Sequence, residues 1–309
     1  MTFFLAMAKI LPMPFIMVGL GRMGLGMSKR LKARGHEVYG YDADASTRER
    51  AKEFIKVLES LEELKGFEEK VLWLMVPHAV VDNVIGNIKP YLKEGDVVID
   101  GGNSHYRDSQ RRYRELKSLG VYFLDVGVSG GVYGEEMGYC LMIGGDREAF
   151  ERIEPFLKDL SYEGVGYAYL GSSGAGHFAK MVHNGIEYAF MQAIGEGFEL
   201  LKESGFGYDL KEVARIYNTG SVIRSWLMEL TQKVFEDFGE LEELEPYVED
   251  TGEGRWTVLE AVQRAVPVPT IAEALFARFR SRQRNSFRDR LLAGLRYEFG
   301  RHSVKKRHE

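Results

Sequence analysis

The chain has 309 residues, of which 45% are hydrophobic and 28% charged, and this composition suits one large or two ordinary globular domains rather than a disordered chain. The formal net charge of −5 argues against a protein that binds nucleic-acid phosphates, and no apolar run approaches the roughly 18–20 residues that cross a bilayer. The single cysteine, Cys140, excludes an internal disulfide, and no Cys/His cluster has the spacing of zinc ligands. We therefore expect a metal-free protein of a reducing compartment, the cytoplasm.

The first half of the chain has the pattern of a doubly wound α/β domain. Apolar, β-type runs alternate with helical stretches, and strands that are apolar throughout are typical of a sheet covered on both faces. We predict a Rossmann-type, mainly parallel sheet over residues 15–173, preceded by an N-terminal extension at 1–14. The predicted strands are FIMVGLG, HEVYGYD, KVLWLMVP, DVVIDGG, VYFLDVGVSG and LMIGG.

A glycine-rich turn, GLGRMG, joins the first predicted strand to a helix. A lone G-x-G-x-x-G motif is a weak signal, but a strand before it and a helix after it are the context that dinucleotide binding requires. Gly19 would permit the tight turn, Gly21 would let the backbone approach a pyrophosphate, and Gly24 would let the helix pack on the strand. The helix N-terminus would add N–H groups and positive potential for the phosphates.

An acidic residue, Asp42, closes the second predicted strand about twenty positions further on. Its carboxylate would accept hydrogen bonds from the adenosine ribose hydroxyls and repel a 2′-phosphate, which favours NAD over NADP. Arg48 could reach the same region, and it leaves the use of both dinucleotides open. The predicted cofactor-binding residues are Gly19, Leu20, Gly21, Arg22, Met23, Gly24, Asp42, Val76 and Asn103.

Two further turns follow predicted strands at the same edge of the sheet. Asn103 comes directly after DVVIDGG. Because ligands of open α/β sheets bind outside the carboxyl ends of the strands, Asn103 is expected where cofactor and substrate meet. Ser129, Gly130 and Gly131 follow the next strand and offer a hydroxyl and accessible backbone N–H groups to an anionic oxygen.

The second half, residues 174–300, is predicted to be an all-α domain carried on one long helix, followed by a C-terminal tail at 301–309. The β-type runs disappear, and helical segments are punctuated by glycine and proline. The first segment, GAGHFAKMVHNGIEYAFMQAIGEGFELLKESG, has the apolar spacing of a mostly buried helix. The last, TIAEALFARFRSRQRNSFRDRLLAGLRYEFG, is predicted as one helical stretch.

Five polar residues occur within the apolar pattern of the long predicted helix. Lysine and glutamate are rarely buried unless paired, so these side chains are expected to face water, a partner or a ligand. Lys180 is a candidate general base, since a buried amine can lose its proton near neutral pH, and Glu187 is a candidate acid. A Lys/Glu pair with a purely structural role is the alternative. At about 3.6 residues per turn one stripe holds Lys180, His183, Asn184, Glu187 and Tyr188.

Several motifs occur in a fixed order between residues 15 and 302: GLGRMG, DGGNSHYRD, DVGVSGG, LMIGGD, GAGHFAKMVHNGIEY, TGEGRWT, AVPVPTIAEALFAR and FGRH. Together they resemble the 6-phosphogluconate dehydrogenases (decarboxylating). The related 3-hydroxyisobutyrate dehydrogenases share the glycine motif, the SGG turn and the Lys-x-x-x-Asn spacing, so these features indicate only the superfamily. The HNGIEY segment, with Glu187, and the AEALFAR segment indicate the phosphogluconate branch.

This resemblance implies the oxidative decarboxylation of 6-phosphogluconate to ribulose 5-phosphate and CO₂. Lys180 would take the proton of the 3-hydroxyl while hydride leaves C3 for the nicotinamide. The 3-keto acid would lose CO₂, and Glu187 would protonate C1 of the enediol. The implied substrate-binding residues are Asn103, Ser129, Gly130, Gly131, His183, Asn184, Tyr188 and Arg278, the last two as ligands of the phosphate.

The resemblance also implies a homo-oligomer in which the C-terminal tail of one subunit lends Arg296 and His302 to the site of another. The chain differs from the long forms of the family, which have a duplicated helical half. It carries Asp42 where NADP-using long forms have an Asn-Arg pair, which again favours NAD. Thr251 lies near the position of a phosphate-binding lysine of the long forms, a contact that Arg255 could replace.

Two other functions remain open at this point, and neither involves a nucleic acid or a membrane. An NAD-dependent dehydrogenase of an unphosphorylated 3-hydroxy acid, such as 3-hydroxyisobutyrate, would need neither Glu187 as an acid nor Arg278 and Arg296 as phosphate ligands. A non-catalytic NAD-binding sensor would keep the glycine turn and Asp42 but would have no reason to keep Lys180.

Overall fold

The first part of the chain forms an eight-stranded sheet. The computed structural model describes residues 13–300, with side chains to 298, and the single residues 303 and 305. The strand order is β3-β2-β1-β4-β5-β6-β7-β8, and all neighbours are parallel except β6 and β7. The predicted mainly parallel sheet is confirmed. The strands are β1 (Phe15–Val18), β2 (Val38–Tyr41), β3 (Lys56–Val57), β4 (Val71–Leu74), β5 (Val97–Asp100), β6 (Tyr122–Ser129), β7 (Cys140–Gly145) and β8 (Tyr167–Gly171).

Helices cover both faces of this sheet, as a doubly wound fold requires. Met27 of α1 and Phe150 of α6 belong to the apolar cluster on one face, and Ile85 of α3 and Leu116 of α4 belong to the cluster on the other. The helices of this part are α1 (Arg22–Ala33), α2 (Ala45–Ala51), α3 (Val81–Ile88), α4 (Tyr106–Lys117), α5 (Gly134–Met137) and α6 (Arg147–Leu160).

Strands β1 and β4 are apolar at every position because both of their faces are buried. In β1, Phe15 and Met17 pack into one cluster, whereas Ile16 and Val18 pack into the other. Successive side chains of a strand point to opposite faces, so a strand between two layers of helices has no solvent side. This explains why these strands were visible in the sequence as unbroken apolar runs.

The two edge strands, β3 and β8, were missing from the sequence prediction. β3 has only two residues, and Lys56 on it is exposed. In β8 exposed and half-buried residues alternate, and Leu170 keeps 46% of its surface exposed. An edge strand has one strand neighbour and little burial, so its sequence carries a weak apolar signal.

The second part of the chain is helical, as predicted. The division into two compact units falls between His183 and Asn184, within the long helix α7. No helix among residues 13–300 combines the length and apolar composition that crossing a membrane requires. The helices are α7 (Ala175–Glu203), α8 (Leu210–Asn218), α9 (Trp226–Phe238), α10 (Glu253–Gln263), α11 (Pro269–Ser281) and α12 (Phe287–Gly300).

The last predicted helical stretch is two helices rather than one. α11 ends at Ser281, and α12 begins at Phe287. Ser286 accepts a hydrogen bond from the backbone N–H of Asp289 at 3.2 Å, which is the contact expected of a residue that caps a new helix. An ion pair between Arg280 and Asp289 links the two helices across the break.

The prediction that α7 is mostly buried was wrong for several of its apolar positions. Ile186 is 58% exposed and Leu200 73% exposed, and Met191 keeps 43% of its surface. Ile186 was predicted to be buried because it recurs at the apolar spacing of the helix. Spacing reports an apolar face but does not say what covers it.

A buried ion pair joins the starts of two central strands. Lys70 precedes β4 and Asp96 precedes β5, both side chains are 0% exposed, and Nζ lies 2.6 Å from a carboxylate oxygen. The same carboxylate accepts backbone N–H groups of Lys70 at 3.1 Å and Lys93 at 2.8 Å. Breaking a buried pair on one side leaves a charge without its partner, which costs more than an exposed pair contributes.

We therefore predict that Asp96→Asn lowers the free energy of unfolding by about 3 kcal/mol. Glu62→Gln is the matched control, because Glu62 forms an exposed ion pair with Lys65 at 2.8 Å, and it should cost less than about 1 kcal/mol. Urea denaturation of both variants measures the difference. Equal, small losses would show that the buried pair does not stabilise the sheet.

Candidate active site

The glycine turn after β1 has no room for side chains at two of its three glycines. Gly19 has φ +100°, and a Cβ there would lie 2.4 Å from the carbonyl oxygen of Met75. A Cβ on Gly24 would lie 2.0 Å from the carbonyl oxygen of Gly19, so α1 packs directly on the turn. A Cβ on Gly21 would meet nothing within 4 Å. The space beside Gly21 is therefore open to a ligand.

The N-terminus of α1 suits an anionic group. Its N-cap residue, Gly21, makes no side-chain cap, and the first turn of α1 contains no acidic residue. Helix N-termini carry positive potential and N–H groups that point outward. Residues 19–24 therefore fit a dinucleotide pyrophosphate, and Leu20, Arg22 and Met23 lie on this turn as predicted.

Asp42 is fixed at the same turn by two backbone groups. One carboxylate oxygen accepts the N–H of Leu20 at 2.8 Å, and the other accepts the N–H of Asp44 at 2.9 Å. Arg48 donates to the backbone carbonyl oxygens of Asp42 at 2.7 Å and Ala43 at 3.2 Å. The carboxylate that would select the ribose is thus held in place, and the guanidinium of Arg48 is held beside it.

The ends of β1, β4 and β5 converge on Val76. A Cβ on Gly19 would lie 2.8 Å from a Val76 methyl carbon, and a Cβ on Gly102 would lie 2.7 Å from the Val76 carbonyl oxygen. Asn103, next in the chain, is exposed. The structure therefore brings the predicted cofactor residues Gly19, Val76 and Asn103 to one edge of the sheet.

A buried arginine holds the loop that carries Asn103. Arg112 of α4 donates to Asp100 at 2.9 Å and to Ser104 at 3.0 Å, which lie on either side of Asn103, and to Asp82 at 2.7 Å. The guanidinium of Arg112 holds the pKa of the Asp82 carboxyl at about 2. The stability that this contact contributes is therefore present above the unfolded pKa of about 4 and is lost as the pH falls through the folded value.

α7 lies against β6 where the predicted substrate residues occur. Lys180 is 8% exposed. A Cβ on Gly127 would lie 2.4 Å from the Cβ of Lys180, so strand and helix are in close contact. The Ser129 hydroxyl is 3.4 Å from Nε2 of His183. Gly130 follows Ser129 with φ +131°. Lys180, His183 and the Ser129-Gly130-Gly131 turn therefore come together within the first unit.

In the second unit, Arg278 of α11 lies on the ring of Tyr188 of α7. The guanidinium carbon is 3.4 Å from the ring centre, and Arg278 donates to the Glu249 carbonyl oxygen at 2.7 Å. The Tyr188 hydroxyl is 3.4 Å from the Thr251 hydroxyl, which donates to Glu253 at 2.5 Å. Tyr188 and Arg278 line a cavity of about 740 Å³. A stacked arginine and a tyrosine hydroxyl beside a cavity are suited to a phosphate.

The remaining predicted site residues do not belong to either of these two groups. Asn184 and Glu187 are half-buried on α7 in the second unit. Arg296 is exposed on α12 and, within the described part of the chain, contacts neither Tyr188 nor Arg278. His302 lies outside the described residues. Arg255 forms an ion pair with Asp250 at 2.6 Å, which occupies the side chain suggested as a substitute phosphate ligand.

Three hydrogen bonds at the start of α7 were missing from the sequence interpretation. Asp125 of β6 accepts the backbone N–H groups of Gly174 at 2.7 Å and His177 at 2.9 Å. His177 Nδ1 is 2.7 Å from the Ser109 hydroxyl. A carboxylate inside an apolar strand was the available signal, since buried acidic side chains need partners. No group of side chains among the described residues could hold a metal ion.

Comparison with known proteins also divides the chain into a dinucleotide-binding domain and a helical C-terminal domain. Residues 15–171 match the NAD binding domain of 6-phosphogluconate dehydrogenase, and residues 176–306 match the 6-phosphogluconate dehydrogenase C-terminal domain. The YqeC protein of Bacillus subtilis, which has a provisional 6-phosphogluconate dehydrogenase name, is 44% identical over 94% of this chain and 99% of its own. The NAD⁺-dependent, decarboxylating 6-phosphogluconate dehydrogenase of Haloferax volcanii is 42% identical over 94% of this chain and 98% of its own.

A solved structure supports the same assignment. The 6-phosphogluconate dehydrogenase of Plasmodium falciparum superimposes with a TM-score of 0.79 at 28% identity, over 96% of this chain and 67% of that one. The fold and the glycine turn define a dinucleotide-binding protein with a helical C-terminal part. With both domain matches and the two full-length relatives, the chain belongs to the 6-phosphogluconate dehydrogenase family.

The open space at Gly21 leads to a testable prediction. Gly21→Ala should leave the stability of the protein nearly unchanged, because the added Cβ meets no protein atom. It should weaken NADH binding about tenfold, because the methyl group would stand where the pyrophosphate approaches the backbone. Fluorescence titration with NADH and thermal unfolding measure the two effects.

Gly86→Ala is the control for this variant. Gly86 lies in α3, and a Cβ there also meets nothing within 4 Å, so neither stability nor NADH affinity should fall. Unaltered NADH affinity in Gly21→Ala would mean that the dinucleotide does not bind against this turn.

Proposed function

We propose that the protein oxidises and decarboxylates 6-phosphogluconate, giving ribulose 5-phosphate and CO₂, with NAD as the hydride acceptor. The observation that carries this proposal is the match over 94% of the chain with a relative named NAD⁺-dependent and decarboxylating. Lys180 and Glu187, which supply the base and the acid, both lie on α7. The single cysteine fits the proposed cytoplasmic setting.

Lys180 accepts the proton of the substrate 3-hydroxyl. Its burial keeps water away from the amine, and its place against β6 gives it a defined position. A bound nicotinamide supplies the acceptor for the hydride that leaves C3. The resulting 3-keto acid has a carbonyl group β to its carboxylate, so the C1–C2 bond breaks with loss of CO₂ and leaves the enolate form of an enediol. Glu187 then delivers a proton to the carbon that lost the carboxylate.

Other side chains bind the substrate. Asn103, Ser129, Gly130, Gly131, His183 and Asn184 offer hydrogen bonds to its hydroxyls and carboxylate. Arg278 and Tyr188 bind its phosphate, since a guanidinium is suited to two phosphate oxygens at once. In a homo-oligomer, Arg296 and His302 of a neighbouring subunit complete the phosphate site.

The proposed cofactor is NAD rather than NADP. Asp42 supports this choice because its carboxylate is fixed by Leu20 and Asp44 at the end of β2, where a 2′-phosphate would add a second negative charge. Arg48 gives NADP little help in this arrangement, because it already donates to the backbone of Asp42 and Ala43.

The two alternatives explain less of the chain. A dehydrogenase of an unphosphorylated 3-hydroxy acid leaves the stacked pair of Arg278 and Tyr188 without a ligand. A sensor that only binds NAD does not account for a buried Lys180 beside Ser129 and His183. A phosphorylated substrate that is oxidised and then decarboxylated gives all of these groups a role.

Rates of NADH formation with a panel of acids test the function directly. 6-Phosphogluconate should be the preferred substrate over gluconate and 3-hydroxyisobutyrate, and its oxidation should release one CO₂ per NADH. Gluconate oxidation as fast as that of the phosphorylated acid would exclude the proposal.

Lys180→Met should lower kcat for 6-phosphogluconate by about 10²–10⁴-fold, because the 3-hydroxyl would lose its general base. NADH affinity should stay at the wild-type value. Lys89→Met is the matched control, since Lys89 forms an exposed ion pair with Glu115 at 2.8 Å. Steady-state kinetics and NADH titration distinguish the variants, and wild-type turnover by Lys180→Met would refute the assignment of the base.

Asp42→Ala should raise kcat/KM for NADP relative to NAD by about tenfold, because the charge that repels the 2′-phosphate is removed. Glu53→Ala, an exposed acidic residue of the same segment, should not change the ratio. The measurement is kcat/KM with each dinucleotide at saturating 6-phosphogluconate. If Asp42→Ala leaves the ratio unchanged, another residue selects the cofactor.

A further inference from the structure

One face of β6 packs along the first turns of α7. Leu124, Val126 and Val128 point into the apolar cluster beneath the sheet. The alternate residues, Asp125, Gly127 and Ser129, therefore point to the opposite face. There they meet α7 in turn: Asp125 at Gly174 and His177, Gly127 at Lys180, and Ser129 at His183.

Asp125 anchors the start of the helix. Its side chain is 0% exposed, and its two carboxylate oxygens accept the N–H groups of Gly174 at 2.7 Å and His177 at 2.9 Å. The first N–H groups of a helix have no partner within the helix, and a carboxylate is the acceptor that they favour most. A strand residue far away in sequence thus acts as the cap of α7.

Glycines let the helix approach the sheet at backbone distance. A Cβ on Gly176 of α7 would lie 2.3 Å from the Asp125 carbonyl oxygen and 2.5 Å from that of Met142. A Cβ on Gly144 of β7 would lie 2.6 Å from the Gly176 nitrogen. Protein interiors transmit strain, so any side chain added here would push the helix outward.

Gly127 sets the distance at Lys180 itself. A Cβ at this position would lie 2.4 Å from Lys180 Cβ and 3.0 Å from Lys180 Cγ. Because both of these atoms belong to the first part of the side chain, rotation about the outer bonds would not relieve the clash. Every residue other than glycine would displace Lys180.

We propose that Asp125 and Gly127 are positioning residues that set where the amine of Lys180 stands. This inference rests on the proposed function, in which Lys180 is the base. Asp125 fixes the start of the helix, Gly127 fixes the distance between strand and helix, and neither needs to touch the substrate. Because both residues lie on β6, this strand determines where Nζ of Lys180 is located.

The variants that test this are Asp125→Asn and Gly127→Ala. Asparagine keeps the shape of the side chain but turns an N–H₂ group toward one of the two backbone N–H groups. Alanine adds only the methyl group that meets Lys180. Each has a matched control away from α7: Asp96→Asn, a buried aspartate of the same sheet, and Gly86→Ala, a glycine with open space.

Two readouts separate positioning from folding. Crystal structures of the variants locate Lys180 Nζ whether or not the protein turns over, and we expect it to move by about 1 Å. Kinetics with 6-phosphogluconate should show kcat per folded molecule about 10- to 100-fold lower, with unchanged NADH affinity. The isotope effect of 3-deuterated 6-phosphogluconate on kcat should increase, because the step that breaks the C3–H bond becomes slower. Both controls should keep wild-type kcat per folded molecule.

The outcomes distinguish this inference from the proposed function. If the wild-type protein does not oxidise 6-phosphogluconate, the function is wrong, and the position of Nζ alone decides the inference. If Asp125→Asn does not fold, Gly127→Ala decides it. A folded Gly127→Ala variant with Nζ in its original place and wild-type kcat would overturn it.

Discussion

The close contact between the first turns of α7 and strands β6 and β7 is the constraint on which the candidate site depends. Glycines at positions 127, 144 and 176 remove the side chains that would separate helix from sheet. Asp125 satisfies two N–H groups at the helix start. The contact fixes the backbone just before Lys180. The amine therefore has a place determined by the sheet rather than by its own flexible chain.

Hydrogen bonds within the protein also fix the residues at the proposed cofactor site. The carboxylate of Asp42 accepts the N–H of Leu20, which lies within the glycine turn, so one turn fixes both the proposed pyrophosphate site and the carboxylate proposed to bind the ribose. Arg112 does the same for Asn103, because it holds Asp100 and Ser104 on either side of it. In both cases hydrogen bonds within the protein hold the segment that carries a proposed ligand-binding side chain.

Much of the fold was predictable because its signals are local. Strands β1 and β4 are apolar at every residue, and the glycine turn falls between β1 and α1, where dinucleotide binding requires it. The edge strands β3 and β8 were missed because they are short or half exposed. The exposure of Ile186 was missed because apolar spacing on α7 does not state what covers the face.

The site was predictable only in part, for a related reason. Lys180 and His183 share a face of a helix, a relation visible in the sequence. The contacts that hold them join residues 49 and 52 positions apart, as Asp125 does with Gly174 and His177. A sequence pattern does not pair such positions. It shows only that a carboxylate inside an apolar run needs partners.

A crystal structure of the protein with bound 6-phosphogluconate tests the central claim most directly. The account predicts that Lys180 Nζ lies within hydrogen-bond distance, about 2.6–3.2 Å, of the substrate 3-hydroxyl, with the Ser129-Gly130-Gly131 turn and Asn103 around the sugar acid. A sugar acid bound with its 3-hydroxyl away from Lys180, or with its phosphate against that amine, would contradict it.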